Sequence, residues 1–502
     1  MNRLEKRNRI QSLVYKILGM PEEITVERRA NLNFSLFFAL TIICCGFAVA
    51  VGYGGTTVGA LILAATIGIP CIYFIVVYPK FGVITLLVAA YFIMFIARLG
   101  VNFPVGVLMD AIQFLLIVGV LIKQKRRSNW GIFKNPITTI IVIWMAYNFL
   151  QIVNPTTEVR LAWVYNIRSV AVVMLMYFVF IYNITSISII RLVLKLWIGL
   201  TLFAALYALK QEFIGFFSFE QAYLDSDPRI KGLLFINGHW RRFSIFSDPV
   251  AFSYNMVATS VLCITLIFGP YNIKKKIVLG MISLVCLIAM FYSGTRAAYV
   301  LLPGSMVVLL ILKFNKQVLT FALIFGLLFA ALIFVPTSNA TIYRFQTAFK
   351  PSNDASFNVR KDNQKRIQPF IQSHPLGGGL GAVTAVAKKI APHALLSNFP
   401  PDSGYVRVAV ELGWIGLFLF CTLFFVILKT GIDNYYKIQN PELKNYCLAM
   451  VLITFAFHIA SYPQEAIVQF PASIYFYLVV ALIPITYQLD RQEQQSNKLP
   501  IL

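Results

Sequence analysis

Charge is scarce in this chain, acid scarcer, and histidine almost missing. Only 13% of its 502 residues are Asp, Glu, Lys or Arg, about half the share carried by a soluble globular domain. That excludes an ordinary soluble fold. The four histidines are scattered, with no HExxH or similar ligand spacing, so the sequence offers no metal site. All seven cysteines fall in apolar stretches and none forms a CxxC pair. They read as small apolar residues packed between helices, not as a disulfide or redox framework. The first 30 residues lack an apolar core and a small-residue cleavage site. They are expected to be a cytosolic arm, not a secretory signal.

What remains is hydrophobic. The chain is 59% apolar, with a mean hydropathy of +0.75, and apolar stretches of about 17–25 residues recur along it, each long enough to cross a bilayer as a helix. The expected fold is an all-α integral membrane protein, a polytopic bundle of about 12–14 transmembrane helices. The segmentation gives spans near 34–51, 58–78, 81–97, 104–122, 137–153, 169–185, 191–210, 249–268, 277–292, 297–312, 317–335, 405–428, 443–460 and 470–488. Lys and Arg in the short loops orient them. With the N-terminus inside, "KQKRRSNWGIFK" (123–134), "KKK" (274–276) and "KFNK" (313–316) all lie inside, and the short outer loops hold only Arg98, Arg160, Arg168 and Arg296. The expected layout is a cytosolic arm (1–30), a membrane domain (31–490) with long outer loops at 211–248 and 336–404, and a cytosolic tail (491–502).

The excess of 43 Lys and Arg over 20 acids is partly this inside charge, so it does not imply nucleic acid. The outer basic residues run against the usual bias. The 336–404 loop carries Arg344, Lys350, Arg360, Lys361, Lys365, Arg366, Lys388 and Lys389 against Asp354, Asp362 and Asp402. A long segment of this kind without strong secondary structure is often functional. Something anionic is expected to bind on the outer side. The phenylalanines at 213, 216, 217 and 219 suit an interfacial helix.

Four outer stretches stand out. In "GHWRRFSIFSDPVAFSYN" (238–255), Arg241 and Arg242 either contact an anion or snorkel to the interface. Asp248-Pro249 reads as a helix start. In "SGTRAA" (293–298), Ser293 and Gly294 loosen a helix end, and Arg296 either faces an anion or pairs with a bundle carboxylate; a charge at mid-bilayer would cost about 2.5–3.5 kcal/mol. "HPLGGGLGAV" (374–383) lacks the Lys-Ser/Thr of a phosphate cradle and reads as a tight turn or a close backbone approach. In "PDSGYVRVAVELGWIGLFLF" (401–420), Arg407 and Glu411 are spaced to pair on one helix face, and Asp402 is either a general base or a helix cap. Elsewhere, Asp110 has Arg98 or Arg168 as candidate partners, and His458 reads as an interhelical hydrogen bond.

Taken in order, these four stretches over roughly residues 190–430 resemble the O-antigen ligase and polymerase superfamily of membrane glycosyltransferases, the WaaL-like and Wzy-like proteins. "RRFSIFSDPVAFSYN" is similar to the family's stretch in which an arginine precedes a "GTF..P" turn. "SGTRAA" is similar to its Ser-Arg-small motif, "HPLGGGLG" to its "HPlxGxGxG" turn, and "DSGYVRVAVELGWIGL" to its "HNxYLxxxxExGxxGL" signature.

The resemblance implies a bacterial inner-membrane glycosyltransferase with both termini cytoplasmic and the active face periplasmic. Its donor would be an oligosaccharide on undecaprenyl diphosphate, its acceptor a glycan or lipid hydroxyl, and it would need no metal or cofactor. Arg242 and Arg296, with Arg241, would clamp the diphosphate, since arginine forks fit phosphate oxygens and stay charged. Where ligases have the histidine of "HN", this chain has Asp402-Ser403. A carboxylate can still serve as base, and His393, nine residues upstream, is the other candidate. The change favours a polymerase of lipid-linked repeat units over a ligase acting on lipid A-core. A protein-directed oligosaccharyltransferase, an anion or lipid transporter and an inactive scaffold are the further readings. No duplicated halves support the transporter. Membrane lipids are expected partners, and a chain-length regulator is a candidate one.

Overall fold

The computed structural model describes residues 68–99, 105–126, 129–236, 238–349, 355–401 and 403–498, with Gly46, Gly52, Gly55 and Thr66 besides. The two earliest expected spans, near 34–51 and 58–78, lie largely outside the described residues. From there on, each expected span has a helix. Among the described residues eleven helices are long and apolar enough to cross a membrane, and the shorter Arg296–Leu312 is also apolar. The chain is a polytopic all-α membrane protein.

It divides into two compact units. The first comprises residues 1–85 and 114–127. Its described part is a close packing of short helical segments allowed by two glycines. A Cβ at Gly82 would stand 2.6 Å from Leu116, and one at Gly119 would stand 2.9 Å from the Val76 carbonyl.

The second unit comprises residues 86–113 and 128–502. Its site is built from helices α1 (Ile187–Phe213), α2 (Pro249–Ile267), α3 (Ile273–Tyr292), α4 (Arg296–Leu312), α5 (Ala355–Ser373), α6 (Gly404–Lys437), α7 (Pro441–Ala460) and α8 (Ala472–Lys498). Burial sorts them. Along its most apolar window α2 is 89% buried, whereas the very hydrophobic Lys316–Phe334 is 6% buried. The first is a core helix carrying Ser253, Asn255, Thr259 and Ser260 among its buried residues. The second presents its apolar surface to lipid. Helix α2 packs on α3, α4 and α7, α4 packs on α7, and α8 packs on α7 and α6.

Three expectations need correction. Arg160 and Arg168 are not loop residues: the helical span begins at Arg160 and runs to Asn183. It tolerates Arg168 because that guanidinium pairs with Asp110 at 2.7 Å. The phenylalanines at 213–219 do not form one interfacial helix, since Phe213 closes α1 and Phe219 belongs to a separate short helix, Ser218–Asp225. Phe216 instead stacks on Phe243, with centroids 5.7 Å apart, and lies under the Arg242 guanidinium. The 336–404 segment is not without secondary structure, since it carries the helices Ala340–Thr347, α5 and Ala385–Ile390.

Candidate active site

Helix α3 ends at Tyr292 and α4 begins at Arg296. The turn between them is held from both sides. Ser293 donates to the Met290 carbonyl and accepts from the Thr295 amide, while Thr295 donates its hydroxyl to the Pro249 carbonyl at the start of α2. Gly294 has φ 59°, a left-handed conformation natural to glycine.

Three arginines converge on this turn. Arg241 donates from Nε to the Ser293 carbonyl at 2.9 Å and from NH2 to Thr295 Oγ1 at 3.1 Å. Arg344, reaching in from Ala340–Thr347, donates from Nε to the Gly294 carbonyl at 2.7 Å. A Cβ at Gly294 would lie 2.9 Å from Arg344 Nε and 3.6 Å from Arg241 Cγ, so the glycine is what lets both guanidinium-bearing chains flank the turn. Arg296 starts α4 beside them, its charge felt by Arg241. Burial first, then the charge of Arg344, lowers the Arg241 guanidinium from 12.5 to about 10, with Asp248 pulling the other way and Arg296 adding a smaller lowering. Bringing like charges together in a half-buried place is unfavourable in itself, and a bound anion offsets it.

Arg242 is placed differently. It donates from Nε to Glu212 Oε2 at 2.6 Å, its backbone N–H reaches the Tyr292 carbonyl, and its side chain is 9% exposed. Glu212 also faces His239 at 3.4 Å. Arg98, the other candidate partner of Asp110, instead donates to the carbonyls of Ser244 and Phe246, fixing the loop in which Ser244 has φ 55°. Asp248 is committed to capping α2, accepting from the Val250 and Ala251 amides.

The glycine turn is a second feature of the same unit. Gly378 and Gly379 donate their amides to the carbonyls of Val410 and Glu411, each at 2.8 Å. Those carbonyls are reachable because α6 breaks at Gly413, with φ 70° and ψ −177°, a conformation essentially restricted to glycine. A Cβ at Gly413 would lie 2.0 Å from the Pro375 carbonyl oxygen, and one at Gly377 would lie 2.3 Å from the Gly413 nitrogen. The turn is thus a close backbone approach, as its composition suggests. Below it, Arg407 donates to Glu411 at 3.2 Å and also to Glu465, joining α6 to the 461–471 link. Glu411 is buried and faces the Val383 amide. His458 meets the Tyr405 hydroxyl at 2.5 Å, a bond between α7 and α6.

Arg360 belongs to the helix that leads into the glycine turn. On α5, it lies within electrostatic reach of Tyr254, as does Asp248, and it lines a small cleft with Asn363, Gln364, Phe399 and Ser403. Ser403 is the N-cap of α6, accepting from the Val406 amide. Asp402, its neighbour, lies outside the described residues. His393 is exposed on the turn that follows Ala385–Ile390. Arg344 and Arg360 are the residues that motif reading left unassigned; the only sequence signal for them was the outer basic excess.

Residues 281–421 match the family model described as O-Antigen ligase (Wzy_C). The matched segment includes Arg296, Arg344, Arg360, the glycine turn and the Arg407–Glu411 pair. It supports a ligase- or polymerase-type role in membrane glycan processing. No curated protein matched the chain.

Proposed function

Because residues 281–421 fall in the O-antigen ligase and polymerase superfamily, we propose that the protein polymerises glycan repeat units carried on undecaprenyl diphosphate at the periplasmic face of the bacterial inner membrane. The convergence of Arg241, Arg344 and Arg296 on the Gly294 turn is the observation that carries this reading. In the reaction an acceptor hydroxyl attacks the anomeric carbon of the donor. The carbon–oxygen bond to the lipid diphosphate breaks, and the hydroxyl proton passes to a base. Charge develops on the departing diphosphate, and preorganised guanidinium donors there act without reorganising at the moment of reaction. Arg241, Arg296 and Arg344 serve this purpose. Arg242, held by Glu212, backs them and fixes the Phe216–Phe243 stack beneath.

Asp402 is proposed as the base, with His393 as the alternative. The Arg407–Glu411–Glu465 group holds the glycine turn against α6 and is a support, not a participant in bond breaking. A ligase transferring the same glycan to a lipid acceptor is the second reading, favoured by the description of the matching family.

The test is purified protein in liposomes with a polyprenyl-diphosphate oligosaccharide, followed by gel analysis of the glycans. A ladder of multiples establishes polymerisation. Turnover only when a separate lipid acceptor is added would establish a ligase. Arg296→Ala is expected to abolish product while leaving insertion intact. Asp402→Asn is expected to cut the rate far more than the protein level, and a rate that merely follows protein level would remove Asp402 as the base.

A further inference from the structure

The opposite ends of the same helices carry a second basic site. Helix α3 runs from Ile273 to Tyr292, so at 1.5 Å per residue its start lies about 30 Å from the Gly294 turn. There, a cavity of about 910 Å³ opens between the first half of α1, the end of α2, the first half of α3 and the start of α7. It lies wholly within the second unit.

Its mouth is cationic. Arg191, Lys195, Lys274 and Lys275 line it, with Glu442 as the carboxylate among them. Glu442 is already saturated. Arg191 grips it with two bonds, at 2.7 and 2.6 Å, and Tyr446 donates to it at 2.7 Å while receiving the Tyr271 hydroxyl. Among the described residues no carboxylate pairs with Lys195, Lys274 or Lys275, and Lys275 instead lies over the Tyr271 ring. The mouth therefore carries three ammonium groups beyond its one closed ion pair.

Its depth is apolar. Ile198, Leu202, Val278 and Ile282 line the part beneath the lysines. From Lys274 to Ile282 the groove extends about 12 Å along α3, most of one leaflet of a bilayer core about 30 Å thick. Val278 among these is exposed, so the groove opens toward lipid and not only toward water.

We propose that this groove binds an anionic diacyl phospholipid, its phosphate between Lys195, Lys274 and Lys275 and an acyl chain along α1 and α3. Basic pockets between membrane helices suit such headgroups. A soluble anion would use the lysines but leave the apolar depth unexplained, and a neutral lipid would use the depth but not the lysines. The inference does not depend on the arginine cluster or on the transferase reading.

The experiment uses the full chain in neutral detergent and reads the shift in its melting temperature. The probes are dioleoyl phosphatidylglycerol, dioleoyl phosphatidylcholine and inorganic phosphate. A ligand that binds the folded state raises the melting point, the more so the higher its concentration relative to its dissociation constant. Phosphatidylglycerol is expected to raise it by several degrees, and the other two are not. The triple variant Lys195→Ala/Lys274→Ala/Lys275→Ala is expected to lose the shift, each lysine weakening retention by about fivefold.

A second variant keeps the charges and fills the groove. Gly199 lines the cavity, and a Cβ there meets nothing within 4 Å. Gly199→Leu is therefore expected to fold, to gain helix propensity and to halve the lipid shift or more. Equal shifts from phosphatidylcholine would overturn the proposal, and so would a shift reproduced by inorganic phosphate. It fails equally if the shift persists in the triple variant. Should that variant not fold, an undiminished shift in Gly199→Leu decides against it.

Discussion

Replacing Arg344 by alanine separates binding from folding at the Gly294 turn. Among the interactions of Arg344 in the free protein, two oppose each other. The donation from Arg344 Nε to the Gly294 carbonyl at 2.7 Å is lost. A hydrogen bond from a charged donor is worth about 1.5–3 kcal/mol. Against this, the repulsion between Arg344 and Arg241 is relieved, and the charge of Arg344 is second only to burial in lowering the Arg241 guanidinium. Two like charges a few ångströms apart repel by about 1–4 kcal/mol, depending on the effective dielectric. The terms nearly cancel, so the melting temperature should change by no more than a few degrees. Nothing cancels once a diphosphate is bound, because the lost guanidinium was then attracted and not repelled. A loss of about 1.5–3 kcal/mol of charge-assisted bonding lowers kcat/KM by about 10–150-fold. The assay is the liposome glycan ladder, normalised to folded protein, with Arg229→Ala as control. Arg229 pairs with Asp227 and its side chain is 89% exposed; it is expected to leave output unchanged. Arg344→Lys should fall between parent and alanine, keeping the charge but losing the planar fork. Output from Arg344→Ala within twofold of the parent would refute the reasoning, as would a collapse in melting temperature that accounts for the whole loss.

Three further outcomes follow. Gly413→Ala forces a side chain into φ 70°, ψ −177° with its Cβ 2.0 Å from the Pro375 carbonyl oxygen; strain of about 1–3 kcal/mol from the backbone alone should lower the melting temperature, and an unchanged value would mean that the kink is not held there. Arg407→Ala leaves Glu411 buried without its cation and releases Glu465; removing one partner of a buried pair costs about 3–5 kcal/mol, so a large loss of folded protein in detergent is expected, with Glu411→Gln milder because the neutral amide needs no counter-charge. The pH dependence of kcat/KM reports the base: Arg241 keeps its proton well below about 10, so the clamp's charge is constant from about pH 6 to 9 and the rising limb belongs to the base. Loss of that limb in Asp402→Asn indicates Asp402, and its loss in His393→Ala indicates His393. A fall as pH approaches 10 marks loss of the Arg241 proton and with it the anion's partner.

The spans were legible because hydrocarbon enforces them: an apolar run of bilayer length has few alternatives to a helix. The boundaries that moved are those where a polar residue found a partner that sequence spacing does not reveal. Arg168 sits inside a helical span because Asp110, on the Val105–Arg126 helix, is 2.7 Å away. Local signals suffice where the chemistry is local. Asp248 caps α2, and Arg407 pairs with Glu411 one turn on. Glu465, the other partner of Arg407, comes from 58 residues away and left no mark in the spacing.

The same distinction explains the candidate site. Arg241 and Arg296 lie in recognisable stretches, whereas Arg344 and Arg360 occupy a segment whose only visible feature was excess positive charge. What sends Arg344 to the Gly294 turn is tertiary. Phe345 beside it is buried against Phe291 and Tyr299, with centroids 5.3 and 4.9 Å apart, so aromatic packing on α3 and α4 anchors the short helix and aims the preceding side chain at the Gly294 carbonyl. An arginine held by its neighbour's packing needs no motif of its own. By this argument Phe345→Ala, which touches no polar group, should reduce turnover through Arg344: it should lower kcat/KM in the parent and add little in Arg344→Ala. Full additivity of the two losses would separate the packing from the guanidinium and leave Arg344 without the anchor assigned to it here.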